Sequence, residues 1–148
     1  MIVNIVSEDY TGHVHDNEIL SYVVDIRNKT LTLYTEWHGR TGEVDEETVI
    51  IFSGLLSHCF DDVNTIQNVI FGIEEISLEG FLNICEKRHG QKAQDAIPIY
   101  VNGGLDALTA TFTERCYKVF EIDSAVGLRG YAIAKNIEII VEKKDKGE

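Results

Sequence analysis

His13-Val14-His15-Asp16 is the segment of this chain that most resembles a metal site, with two imidazoles and a carboxylate in four positions. On a strand both imidazoles would face one side, about 6.6 Å apart along the chain, and Asp16 would supply an oxygen. A stable zinc site needs three or four ligands, and no second His/Cys pair stands at recognisable spacing. His13, His15 and Asp16 are thus the metal candidates. The simpler expectation is an exposed loop between Tyr10 and Ile19, with no metal and no cofactor.

Cys59 has His58 beside it, a nucleophile and a base in sequence. Neighbours on a strand point to opposite faces, so His58 cannot activate Cys59 there. Cys85 belongs to the apolar face of a helix, and Cys116 precedes a strand beside Arg115, whose charge would favour a thiolate. Core thiols are the plainer reading for all three. An odd number of widely spaced cysteines is no disulfide framework and fits a reducing, cytoplasmic setting. Asn102-Gly103-Gly104-Leu105 and Gly127-Leu128-Arg129-Gly130 match neither phosphate-loop pattern, and no G-x-S-x-G elbow occurs. Glu74-Glu75 and Glu79 fall at a strand end and in a first helical turn, where acid complements the helix dipole. No catalytic residue is expected, and the protein reads as non-enzymatic.

Charge is the feature these readings do not absorb. The chain's formal charge is −12 over 148 residues. Residues 1–86 hold sixteen acids against three bases (Arg27, Lys29, Arg40), a net of −13, whereas residues 87–148 hold nine acids and ten bases, a net of +1. Such a balance argues against nucleic acid or an anionic membrane as a partner, because phosphates would repel it. Asp9, Asp16, Glu18, Glu43, Asp45, Glu46, Glu47, Asp61 and Asp62 are expected mainly in loops. Concentrated like charge costs stability through self-repulsion, so its persistence suggests a task.

The elements that would position these groups are mostly strands. Tyr22, Val24 and Ile26 alternate with Val23, Asp25 and Arg27 up to Asn28-Lys29, and Leu31, Leu33 and Thr35 resume the alternation, which predicts a hairpin turning on an Asn at positive φ. Further strands are expected over 48–52, 68–73, 117–122, 131–134 and 137–141. Ile97-Pro98-Ile99-Tyr100-Val101 reads as an extended edge, and Leu108, Ala110 and Phe112 alternate with threonines as a strand. Gly54 predicts a bulge or sharp bend inside a continuing apolar run.

One helix is specified over 78–89. Ser77 can cap it, and Leu78, Phe81, Leu82 and Cys85 share one face; Lys87, Arg88, His89 and Gly90 suit its end. Residues 142–148 read as a charged tail. At 44% apolar and 26% charged residues, with no run near the ~20 that a membrane helix needs, the chain reads as one soluble α+β domain. That domain, 1–148, would be a mostly antiparallel sheet with the 78–89 helix packed on it.

Tyr22-Val23-Val24-Asp25-Ile26-Arg27-Asn28-Lys29-Thr30-Leu31-Thr32-Leu33-Tyr34, with Ile50-Ile51-Phe52-Ser53-Gly54-Leu55-Leu56-Ser57-His58, resembles the small bacterial immunity proteins of polymorphic toxin and contact-dependent inhibition systems. The likeness lies in size, acidity, a β-rich α+β plan and the lack of a catalytic motif, and it covers residues 1–75. It implies a cytosolic antidote that binds a cognate toxin domain and blocks it; no binding residues carry over, since those proteins share no fixed binding motif. A basic toxin domain such as a nuclease would meet an acidic surface with steered association. Tyr10, Tyr34 and Trp37 are the candidate aromatic anchors, flanked by Glu36, Glu43, Asp45 and Glu47. The alternative is a small-molecule or metal-binding domain or enzyme, with His13, His15 and His58 lining a pocket between sheet and helix.

Overall fold

A computed structural model describes residues 2–5, 10–39, 42, 44–89 and 97–144, with no statement on the side chains of 2–5, Arg88 and His89. Among the described residues nine strands alternate unevenly with three helices: β1 (Ile2–Ile5), α1 (Thr11–Val14), β2 (Glu18–Asp25), β3 (Thr30–His38), β4 (Val44–Ser53), β5 (Ser57–Asp61), β6 (Val69–Ile76), α2 (Leu78–His89), α3 (Gly104–Glu114), β7 (Lys118–Val126), β8 (Arg129–Ala134) and β9 (Asn136–Lys143). The fold is α+β, and every strand pairing is antiparallel, in the order β1-β9-β4-β3-β2-β6-β7-β8-β5.

The sheet narrows at one point. β2 and β6 meet only where Glu18 pairs with Val69, so a five-stranded half and a four-stranded half splay apart and fold face to face. Leu31, Leu33, Ile50, Phe52 and Ile139 of one half pack against Ile73, Phe120, Ile122 and Ala132 of the other. The Phe52 and Phe120 rings lie 5.5 Å apart across that layer. The four-stranded half is covered on its far side by α2 and α3, where Phe81, Leu82, Cys85, Leu108 and Phe112 pack with Val119 and Ile133. β7 and β8 are therefore buried on both faces. That is why Val119-Phe120 and Tyr131-Ala132-Ile133-Ala134 read as runs rather than alternations.

The β6 edge that β2 abandons is closed by α1. Thr11 Oγ1 accepts the Ile73 N–H and donates to the Ile73 carbonyl, both at 3.2 Å. His15 Nδ1 lies 2.8 Å from the Phe71 carbonyl, and the Asp16 N–H donates to Ile70. Side-chain and backbone groups of α1 and the residues after it stand in here for a missing strand, which protects an edge that would otherwise invite pairing.

Several sequence expectations need correction. Residues 104–114 form a helix, not a strand: Leu108 and Phe112, four apart, bury one helical face, and the intervening threonines mimic a period of two. α2 thus has a companion. Ile97 and Ile99 are buried and Pro98 and Tyr100 exposed, but the segment joins no ladder; Ile99 N–H turns back to the Ile97 carbonyl. Lys29, not Asn28, takes positive φ (56°), because Asn28 donates its backbone and side-chain N–H groups to Asp25. Those bonds hold the Asp25 carboxyl below its usual range.

At Gly54 (φ 62°) β4 ends and the chain crosses to the other half-sheet. Glu142 and Lys143 are the end of β9 rather than a tail. α2 runs over the expected residues, with the Gly80 N–H donating to Ser77 Oγ at 3.0 Å; Gly90 lies outside the described residues.

Candidate functional site

The outer face of the five-stranded half carries no helix among the described residues, and its register sorts its side chains into rungs. One rung is Val23–Thr32–Ile51–Glu138. The next is Ser21–Tyr34–Val49–Ile140, with Leu20 beside Ser21 at a bulge. The third is glutamate on four strands, with Glu18 opposite Glu36, Glu36 opposite Glu47, and Glu47 opposite Glu142, and Ile2 of β1 is paired beyond Glu142. Leu20, Val23 and Tyr34 are all exposed, so an apolar strip lies directly beside the acidic one.

Like charges directly opposite each other on a sheet are destabilising, and this row holds three such pairs in succession. Two side chains offset the repulsion. His38 Nε2 lies 3.3 Å from Glu36 and 3.8 Å from Glu18. Lys144 Nζ lies 3.0 Å from Glu47, whose carboxylate raises the lysine pKa above its ordinary value. Glu36 is the most enclosed of these partners, its side chain 22% exposed. Among the described residues, four carboxylates thus face one lysine and a histidine.

The expected partner-binding residues divide between faces. Tyr34, Glu36 and Glu47 are brought together on the outer face, and Asp45 follows at the start of β4, its carbonyl accepting the Lys144 N–H. Trp37 has the phase of the buried Leu33 and Thr35, so it sits at the rim of the opposite face, across from Glu46. Tyr10 packs edge-on against Phe120 at 6.0 Å, at the border of the core. Glu43 lies outside the described residues.

Sequence reasoning missed Glu18 and Glu142 as members of the row. Pairing the predicted hairpin outward from its turn was the signal that would have placed Glu18 near Glu36. Of the acids expected mainly in loops, Glu18, Asp45, Glu46, Glu47 and Asp61 lie in strands. Cations of the later segment reach some early acids: Lys118 to Glu75 at 3.6 Å, Arg129 to Asp62 at 3.2 Å, and Lys144 to Glu47.

The histidines do not converge. His13 and His15 belong to the α1 turn and the residue after it, where His15 is spent on Phe71 and lies 3.5 Å from Asp16. The segment is a helical turn, not a strand, so its two imidazoles do not share a face by alternation. His58 faces the layer between the half-sheets, beside the Phe60 ring at 5.4 Å, and burial lowers its pKa. Among the described residues no three His, Cys, Asp or Glu side chains are grouped to hold a metal ion.

The small cavity between α2 and the sheet is lined by Asp61, Phe81, Cys85, Glu121, Arg129 and Tyr131, among others, and by no histidine. Burial there pushes the Tyr131 hydroxyl up to about 12 and raises the Cys59 and Cys85 thiols, so neither thiol is primed as a nucleophile. Cys59 faces the helix side with Tyr131, away from His58. Cys116 is exposed, not a core thiol.

Comparison with known proteins leaves this geometry to speak for itself. No family model and no curated protein matches the chain. The structure is similar to the crystal structure of an uncharacterized protein from Neisseria gonorrhoeae, with 16% identity and a TM-score of 0.45 over 94% of this chain and 96% of that one. No helix among the described residues is long and apolar enough to cross a membrane.

Proposed function

We propose that this protein is a non-catalytic binding protein, in the manner of a cytosolic immunity protein, whose outer sheet face occupies the basic surface of a toxin domain. The observation that carries the reading is the row of four glutamates beside an apolar strip. A folded protein that holds Glu18, Glu36, Glu47 and Glu142 in line bears a repulsive cost, and a cationic partner would relieve it. Tyr34 and the neighbouring apolar side chains supply a centre that can be desolvated. Free cysteines fit a reducing cytoplasm.

The test is co-expression with the product of the adjacent gene, followed by titration of the purified pair at low and moderate salt. A complex is expected whose association slows as salt rises. It should slow by about tenfold or more in the Glu36→Gln/Glu47→Gln protein at low salt. Failure to bind a basic partner even at low salt would remove the reading.

A further inference from the structure

The spacing of the outer face selects the shape of what lies on it. We infer that the partner element is an amphipathic basic α-helix laid across β2, β3, β4 and β9, with one Lys or Arg per turn above the glutamate rung. This inference rests on the reading of that face as a site for a basic protein.

Glu18, Glu36, Glu47 and Glu142 sit on four consecutive strands, so their Cα positions step by about 4.8 Å and span about 14 Å. A helix repeats every 5.4 Å, so cations at i, i+4, i+7 and i+11 span about 16 Å. A strand laid the same way repeats its side chains about every 6.7 Å and overshoots the row by about 6 Å over three steps. The layer holding Phe52 and Phe120 lies on the inner side of the sheet, which leaves the glutamates on its outer side.

The second strip points the same way. Ser21, Tyr34, Val49 and Ile140 form the adjacent rung, about 6.7 Å further along the strands, with the exposed Leu20 beside Ser21 at the bulge. A helix offers an apolar stripe beside a basic one at that separation, since its diameter with side chains is about 10 Å. Val23 and Ile51 extend the strip by one more rung. An extended basic tail would meet the acids but leave Leu20, Tyr34, Val49 and Ile140 wet.

The experiment uses two synthetic peptides of identical composition and the full chain. In one, lysines recur at i, i+4, i+7 and i+11 beside a leucine stripe; in the other, lysine and leucine alternate. Fluorescence anisotropy would measure binding to the native protein and to Glu36→Gln/Glu47→Gln, and circular dichroism would check that both proteins are folded. The helical peptide is expected to bind at least about tenfold tighter than its isomer, to gain helicity on binding, and to lose affinity about tenfold on the double variant. Equal binding of both peptides, lost on the variant, overturns the helix and leaves the basic-partner reading intact. No binding of either, or binding indifferent to the variant, overturns both.

Discussion

Glu36 of β3 stands directly opposite Glu47 of β4, and Glu18 stands opposite Glu36 on its other side, so the central carboxylate has an anionic neighbour on each flank. His38 Nε2 lies 3.3 Å from it, and Lys144 also feels its charge. Glu36→Gln is expected to stabilise the fold by about 0.2–1 kcal/mol at neutral pH and low salt, the range for cross-strand charge pairs. That corresponds to a rise of up to about 4 °C in Tm for a chain of this size. The gain should shrink in 1 M salt, where the screening length falls to about 3 Å. A Tm that falls on substitution would mean the row is held by its cations rather than strained.

Asn17 and Thr35 form the buried polar link at the waist of the sheet. Asn17 Nδ2 donates to Thr35 Oγ1 at 3.0 Å, and Thr35 Oγ1 donates to the Thr48 carbonyl at 2.8 Å, with all three residues almost wholly buried. Thr35→Val keeps the shape but strands the buried Asn17 amide donor and removes the hydrogen bond to the Thr48 carbonyl. The expected cost is about 1–3 kcal/mol, read as a leftward shift of the urea midpoint with an unchanged slope. A midpoint within error of the native one would show that the network is dispensable.

How far the sequence spoke depended on whether an element is buried on one face or two. β2, β3 and β4 face the core on one side only, and their alternation at Leu31, Leu33, Ile50 and Phe52 was plain. α2 announced itself through Ser77 and the Leu78-Phe81-Leu82-Cys85 face. α3 did not, because Thr109, Thr111 and Thr113 alternate with apolar residues and supply β-branched character, while its left-handed Gly103 and Gly104 read as a bare turn. The acids of the site were legible as composition. Their alignment was not, since a rung joins residues from position 18 to position 142, and only the register of three ladders brings them into line.

α3 ends in a Schellman motif with an unusual occupant. Cys116 takes φ 62°, its N–H donates to Thr113, the Tyr117 N–H donates to Phe112, and the Phe112 and Tyr117 rings lie 5.9 Å apart. A left-handed conformation costs a side-chain-bearing residue about 1–2 kcal/mol that glycine avoids. Cys116→Gly should therefore raise stability, by about 0.5–1 kcal/mol once glycine's greater unfolded-state entropy is deducted. Thermal melts of both proteins under reducing conditions would register it. A lower Tm would show that the Cys116 side chain contributes more than its backbone costs.

His58 should make the fold sensitive to mild acid. It lies between the half-sheets beside Phe60, whose ring in turn meets Tyr22 at 5.2 Å, and burial lowers its pKa below the ordinary 6.5. The unfolded chain therefore takes up a proton at a higher pH than the folded chain does. Where the unfolded state binds more protons, stability rises with pH. The contribution is thus present above about pH 6.5 and is lost as pH falls through that value toward the lowered folded one. His58→Gln has no such proton to bind, while the carboxylates respond alike in both proteins. The Tm of the native chain should consequently drop further between pH 7.5 and 5.5 than that of the variant. Parallel curves over that window would show that His58 takes up its proton as readily in the fold as outside it.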